Sequence, residues 1–185
     1  NNTMVYTVGP GVYQYFVRDA NNCEVVQTNA VTINQIPDLE LNLNLDSASV
    51  NCFGESTATI IANATGGLGN YSYTVLAGPQ ASGMFANLPA GDYIVRVDSN
   101  DCNEVSSTIS ITNPSQLIIS DLDVNNVLCF GGTNGSVSIQ TTGGTGTVQY
   151  AISPNLNQFF NTGTFNNLAP GNYDIIVQDQ NGCFI

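Results

Sequence analysis

The sequence predicts an all-β protein made of tandem β-sandwich domains, beads on a string, and three observations carry that expectation. Apolar and polar residues alternate at a period of two, the pattern of half-buried antiparallel strands. Asn, Thr, Ser and 18 Gly make up much of the polar complement, while helix formers are scarce. One ordered set of motifs returns after about 80 residues, too long for a solenoid unit and suited to a complete small sandwich.

The repeat fixes the order of elements. Gly11-Val12-Tyr13-Gln14-Tyr15-Phe16-Val17-Arg18-Asp19, closed by Cys23, recurs as Gly91-Asp92-Tyr93-Ile94-Val95-Arg96-Val97-Asp98, closed by Cys102, and as Gly171-Asn172-Tyr173-Asp174-Ile175-Ile176-Val177-Gln178-Asp179, closed by Cys183. Cys52-Phe53-Gly54 followed by Gly66-Gly67-Leu68-Gly69 returns as Cys129-Phe130-Gly131 followed by Gly143-Gly144-Thr145-Gly146. Residues 1–36 are therefore the C-terminal part of one bead, 37–113 a complete bead, and 114–185 a third bead lacking its last strand. Ile36-Pro37-Asp38 and Asn113-Pro114-Ser115 mark the linkers, because proline cannot continue a ladder and extends the residue before it. Such short linkers predict stiff coupling between beads.

Within a bead the alternation predicts about seven short strands, lettered A to G. Leu39, Leu41, Leu43 and Leu45 give strand A; Ile60, Ala62 and Ala64, matched by Val137, Ile139 and Thr141, give strand B. Tyr71 and Tyr73 mark an aromatic strand C, and Tyr93, Val95 and Val97 the inward face of F. The third bead is longer in the loop between Ile152 and Phe165 than the second is between Val75 and Phe85. Leu88-Pro89-Ala90-Gly91-Asp92-Tyr93 and Leu168-Ala169-Pro170-Gly171-Asn172-Tyr173 resemble the E-to-F corner of immunoglobulin-like and fibronectin type III-like domains. That likeness implies a Leu capping the core, a Pro-Gly turn and a Tyr opening strand F.

Charge narrows the function classes. Only 9% of residues are charged, and Arg18 and Arg96 are the only cations against 14 acids, for a formal charge of −12. Binding polyanions requires clustered Lys and Arg, so neither nucleic acid nor an anionic membrane surface is expected as a partner. The absence of His removes Ser-His-Asp and Cys-His catalysis and His-ligated zinc, and the absence of Lys removes Schiff-base chemistry. No carboxylate pair is spaced for glycoside hydrolysis, so no enzyme is expected. No apolar run reaches the roughly 18 residues of a membrane helix. An Asn1-Asn2-Thr3 start without a leader suggests a piece of a longer, exported chain.

The full order of motifs resembles the SprB-type repeats of cell-surface gliding-motility adhesins of Bacteroidota. The order is Cys-Phe-Gly, the Thr133-Asn134-Gly135 turn, a small-residue strand, Gly-Gly-x-Gly, the Tyr71-Ser72-Tyr73 strand, Leu-x-x-Gly-x-Tyr and Asp-x-Asn-Gly-Cys. Glu55-Ser56-Thr57-Ala58 and Asp101 depart from the pattern only in turns. The resemblance implies an extracellular filament or adhesin stalk exported by type IX secretion, and it supplies no ligand. It also makes Asp46-Ser47-Ala48 an O-glycosylation motif, with Ser47 as the acceptor.

Candidate sites are weighed against simpler roles. The Gly-Gly-x-Gly segments lack the spacing of a phosphate cradle and suit tight loops. Asp98, Asn100, Asp101 and Glu104, and Asp121 with Asp123, are oxygen-rich enough for calcium at a bead end, as are Asp19 to Asn22 with Glu24. Cys102 breaks the EF-hand spacing, however, and Asp-x-Asn-Gly makes a hairpin turn, so no cofactor is expected beyond a weak calcium candidate. Tyr71, Tyr73, Phe85, Tyr150, Phe159 and Phe160 are either core residues or a platform for surface glycans. Phe159 and Phe160, being adjacent in a strand, cannot both face one core.

Five cysteines with no C-x-x-C point to disulfides in an oxidising compartment. Cys52 and Cys129 precede strand B, whereas Cys23, Cys102 and Cys183 follow strand F. Pairing within beads gives Cys52 with Cys102 and Cys129 with Cys183. Against this, B and F of a sandwich run the same way, which puts those positions about 20 Å apart, while a disulfide tolerates about 7 Å between Cα atoms. Stacked beads bring Cys52 within reach of Cys183, and both pairings stand. The expected function is a non-enzymatic, rigid stalk of an extracellular adhesin, with neighbouring repeats, surface glycans or other filament subunits as partners. The alternative is an array of carbohydrate-binding modules on a secreted protein.

Overall fold

The computed structural model describes residues 4–26, 29–76, 78–100 and 102–185. It is all-β: seventeen strands and, among the described residues, no helix and so none that could cross a membrane. The N-terminal segment is a broken hairpin. There β1 (Gly11–Tyr13) pairs with β4 (Val31–Ile33), and β2 (Phe16–Arg18) pairs with β3 (Glu24–Val26).

The second unit is a two-sheet sandwich. One sheet has the order β5 (Glu40–Asn44), β6 (Ala58–Thr65), β8 (Met84–Leu88), corresponding to strands A, B and E. The other has the order β11 (Cys102–Val105), β10 (Arg96–Ser99), β7 (Ser72–Thr74), corresponding to G, F and C. Strand F begins as β9 (Gly91–Tyr93), which pairs with β12 (Ile109–Ile111) at the end of G. F and G are therefore each interrupted midway. Ser106 holds the break together: its N–H donates to the Val95 carbonyl at 2.8 Å, and its Oγ accepts from the Val95 N–H at 2.9 Å. This bead has six strand positions rather than the expected seven. Where D was expected, Gln80 instead exchanges two backbone hydrogen bonds with Tyr73, a single bridge that makes no strand.

The alternating pattern decides what is buried. Tyr93, Val95 and Val97 of F and Ala58, Ile60 and Ala62 of B interdigitate in the core, while Ile94 and Arg96 face solvent. Leu39, Leu41 and Leu43 pack against this core from strand A, but Leu45 lies past the end of β5 and is exposed.

The third unit repeats the plan. Strands β13 (Ile118–Asn125), β14 (Gly135–Thr142) and β16 (Thr164–Leu168) form one sheet, and β15 (Gln149–Ile152) pairs with β17 (Ile175–Gln178) opposite it. Its core joins Leu117, Val137, Ile139, Tyr150 and Val177. Phe184 bridges to Gln178 and Ile185 exchanges backbone hydrogen bonds with Val177, at the place where β11 pairs with β10 in the second unit.

Two devices hold the topology of the second and third units, and the first of them recurs in the N-terminal segment. The predicted corner is present: Tyr93 Oη donates to the Pro89 carbonyl at 2.7 Å, Tyr173 Oη to Ala169 at 3.0 Å and Tyr13 Oη to Gly9 at 2.7 Å. Across the sandwich, the Tyr73 hydroxyl accepts from the Ala64 N–H at 3.1 Å, and the Tyr150 hydroxyl bonds Thr141 Oγ1 at 2.8 Å. Tyr73, Tyr93 and Tyr150 thus bury their rings and still satisfy their oxygens.

Candidate functional site: the junction between beads

The turn after strand F places a cysteine in a fixed position. In Asp179-Gln180-Asn181-Gly182-Cys183, Asp179 Oδ1 accepts from the Asn181 and Cys183 N–H groups, both at 2.9 Å, and the Gly182 N–H donates to the Asp179 carbonyl at 3.1 Å. Asp19-Ala20-Asn21-Asn22-Cys23 makes the same three bonds, at 2.9, 2.8 and 3.1 Å. The Asp side chain substitutes for a backbone carbonyl, the usual role of Asp in tight turns. The buried Asp179 also accepts from the Thr145 N–H through Oδ2 at 2.8 Å, tying the turn to the Gly-rich loop. Ser99 takes that role in the second unit, accepting from Leu68 N–H at 3.0 Å and donating to the Gly69 carbonyl at 2.9 Å.

The Gly-rich loops in turn clasp the linkers. The Gly67 N–H donates to the Pro37 carbonyl at 2.9 Å, and the Gly144 N–H to the Ser115 carbonyl at 3.0 Å. Gly66 and Gly143 have φ of +76° and +79°, and a Cβ on either would collide with the carbonyl of Asp38 or Gln116. These loops are therefore linker-binding elements as well as strand connections.

Cys52 and Cys183 are joined in a disulfide, with Cα atoms 5.6 Å apart. This decides between the two pairings: Cys52 is bonded across the junction, so Cys52 with Cys102 and Cys129 with Cys183 are both excluded. The cysteine before B and the one after F lie at opposite poles of a bead, and stacking sets unlike poles of successive beads together. Asn181 Nδ2 donates to the Asn51 carbonyl at 3.0 Å beside the disulfide, and the Gly54 N–H donates to Asn113 Oδ1 of the linker at 3.0 Å. Phe53, Pro114, Leu117 and Phe184 line the cleft between the two units. Cys23, Cys102 and Cys129 are exposed and unpaired.

Several of the oxygen-rich residues are engaged in local structure. Asp98 accepts from Arg96 Nε at 2.9 and 3.0 Å, which raises the guanidinium pKa above its usual value. Glu24 pairs with Arg18. Asp121 and Asp123 lie on the exposed β13, Glu104 lies opposite Val97 on β11, and Asn100 occupies a left-handed turn position with φ of 51°. Asp101 falls outside the described residues. Among those described, no three His, Cys, Asp or Glu side chains converge as a metal site would require.

The aromatics considered as a glycan platform are dispersed through the fold. Tyr73 and Tyr150 are buried; Phe85 packs on the core, and Tyr71 Oη donates to the Gly66 carbonyl at 2.7 Å. Of the adjacent pair, Phe159 is half-buried and Phe160 exposed, the latter edge-on to Phe165 with centroids 5.9 Å apart. Ser47 lies exposed in the turn after β5. Phe53 and Phe130 enter the sequence reading only within the Cys-Phe-Gly motif and Phe184 not at all, yet each directly follows a cysteine of the junction set.

Successive sandwiches with separate cores, joined by clasped linkers and a disulfide across the junction, define a tandem β-sandwich repeat protein. Two stretches of the chain, residues 44–80 and 122–157, match the family model described as the SprB repeat. No curated protein matches the sequence. Among solved structures, that of the surface layer protein SbsC, domains 1–6, is similar at 14% identity with a TM-score of 0.34. The alignment covers 95% of this chain and 34% of that one, so the chain spans about a third of that structure's length.

Proposed function

We propose that this chain is a load-bearing, non-enzymatic segment of an extracellular adhesin or filament, which carries a distal surface-binding part for cell adhesion or gliding. The observation that carries this reading is the disulfide between Cys52 and Cys183, which joins one bead to the next instead of closing either. A binding module needs no such tie, whereas a stalk under tension gains a covalent path beside the linker. The SprB repeats and a disulfide suited to an oxidising compartment support a location at the cell surface. Of the aromatics considered as a glycan platform, Tyr71, Tyr73, Phe85 and Tyr150 are spent on cores, which supports a stalk over a lectin. Antibody raised against this segment should label intact, unpermeabilised cells of the source and slow their movement or attachment. Labelling only after lysis would overturn the reading.

A further inference from the structure

The third bead carries an uncovered copy of the pole that the second bead uses to hold its neighbour. Cys129-Phe130 aligns with Cys52-Phe53, and Leu128 aligns with Asn51. In the second bead, Val50 is buried, Phe53 is 51% exposed, and the Asn51 carbonyl accepts the bond from Asn181. In the third bead, Val127 is only half-buried, Leu128 is 84% exposed, Phe130 is fully exposed, and Cys129 is unpaired. A cleft of about 410 Å³ lies against them, lined by Val127, Cys129, Phe130, Leu168 and Pro170. The complementary half is present too: Cys102, at the position of Cys183, is exposed and unpaired on the second bead.

We propose that this face docks the post-F turn of a further copy of the repeat and is closed by a disulfide from Cys129 to that copy's counterpart of Cys183. Cys102 is the corresponding half-staple toward the preceding copy. The occupant follows from the interface already described: the same pole, one bead earlier, is covered by a post-F turn and bonded to its cysteine. The rule is that the cysteine before B pairs with the cysteine after F one bead later, giving a ladder with one covalent rung per junction. In the bonding step, each thiol gives up its hydrogen and an S–S bond forms. The two electrons and two protons pass to a small-molecule disulfide oxidant such as glutathione disulfide, which is cleaved to two thiols.

The proposal rests on the stalk reading only in requiring successive copies. Covalent mapping tests it and surface labelling tests the stalk, so either can fail alone. Appending a copy of residues 105–185 after Ile185 completes strand G of the third bead and supplies one further bead. After oxidation with glutathione disulfide, alkylation and non-reducing digestion, a peptide should join Cys129 to the added copy's counterpart of Cys183. In the variant Cys129→Ser, that counterpart should become alkylatable while the Cys52–Cys183 bond, which reports correct folding, still forms. Alkylation of Cys129 in a molecule whose Cys52–Cys183 bond has formed would overturn the proposal, as would a bond from Cys129 to Cys183 itself. Alkylation of native protein from its source adds a measurement independent of refolding: Cys129 recovered as a free thiol also overturns it.

Discussion

Cys52 and Cys183 lie 131 residues apart in sequence and 5.6 Å apart at Cα, joined across two beads whose cores are separate. Unfolding either bead while the other stays folded leaves the unfolded chain pinned at both ends, at the disulfide and at the linker. The bond therefore restricts the unfolded state of both beads, by the loop-closure entropy that a disulfide removes. The double variant Cys52→Ser, Cys183→Ser should lose about 2–4 kcal/mol in each of the two beads. Either single variant should lose the same amount, because one bond is broken in all three. Urea unfolding followed separately in the two beads checks this, and loss confined to one bead refutes it.

Stiffness should respond as well. The clasped linker remains when the disulfide is removed, but the pivot opposite it is gone, so the beads can hinge. Small-angle scattering should show an extended, narrow distribution of dimensions for the oxidised chain and a broader one for the double variant. Identical curves would mean that the linker alone sets the angle.

The corner tyrosines predict an ordered pair of effects. Tyr93 is buried and its hydroxyl donates to Pro89 at 2.7 Å, while Tyr173 is half-buried and donates to Ala169 at 3.0 Å. Replacement by Phe keeps the ring and leaves a carbonyl without its donor, at a cost of about 1 kcal/mol. Tyr93→Phe should cost more than Tyr173→Phe, since water reaches the freed carbonyl more readily at the exposed corner. Denaturation midpoints of the two variants test the order.

The strand pattern was legible because alternation is a local property: Tyr93, Val95 and Val97 go inward and Ile94 and Arg96 outward, whichever strand lies alongside. The E-to-F corner was legible because its turn residues act within six positions. No strand D forms in the second unit, because a stretch near Gln80 with turn residues makes one bridge to Tyr73 where the repeat spacing leaves room for a strand. The sequence leaves the disulfide between two pairings because the choice depends on which pole of one bead meets the next. That is a property of stacking, which no local run of residues encodes. The place of Phe53, Phe130 and Phe184 at the junction depends on the same stacking, although their common position after a cysteine is visible in the sequence.

Ser47 is exposed in the turn after β5, so the Asp46-Ser47-Ala48 motif is sterically open to modification. Protein isolated from its source should exceed the peptide mass by a glycan, and Ser47→Ala should remove that excess. An intact mass equal to the peptide's would dismiss the assignment.

Gly66 and Gly69 provide the sharpest test of how the loop holds the linker, because both have φ of +76° and differ only in what surrounds them. A side chain at Gly69 meets nothing within 4 Å, so Gly69→Ala bears only the left-handed backbone cost of about 1–2 kcal/mol. A Cβ at Gly66 would strike the Asp38 carbonyl, and that group is backbone, which cannot rotate aside as a side chain would. Relief requires the loop and the linker to separate, and the first bond lost is that from the Gly67 N–H to the Pro37 carbonyl at 2.9 Å. Gly66→Ala should therefore cost distinctly more than Gly69→Ala. It should also speed hydrogen exchange of the Gly67 amide, which the Gly69 variant leaves slow. Equal costs with an unchanged Gly67 amide would show that the loop's conformation alone, and not its grip on the linker, selects glycine there.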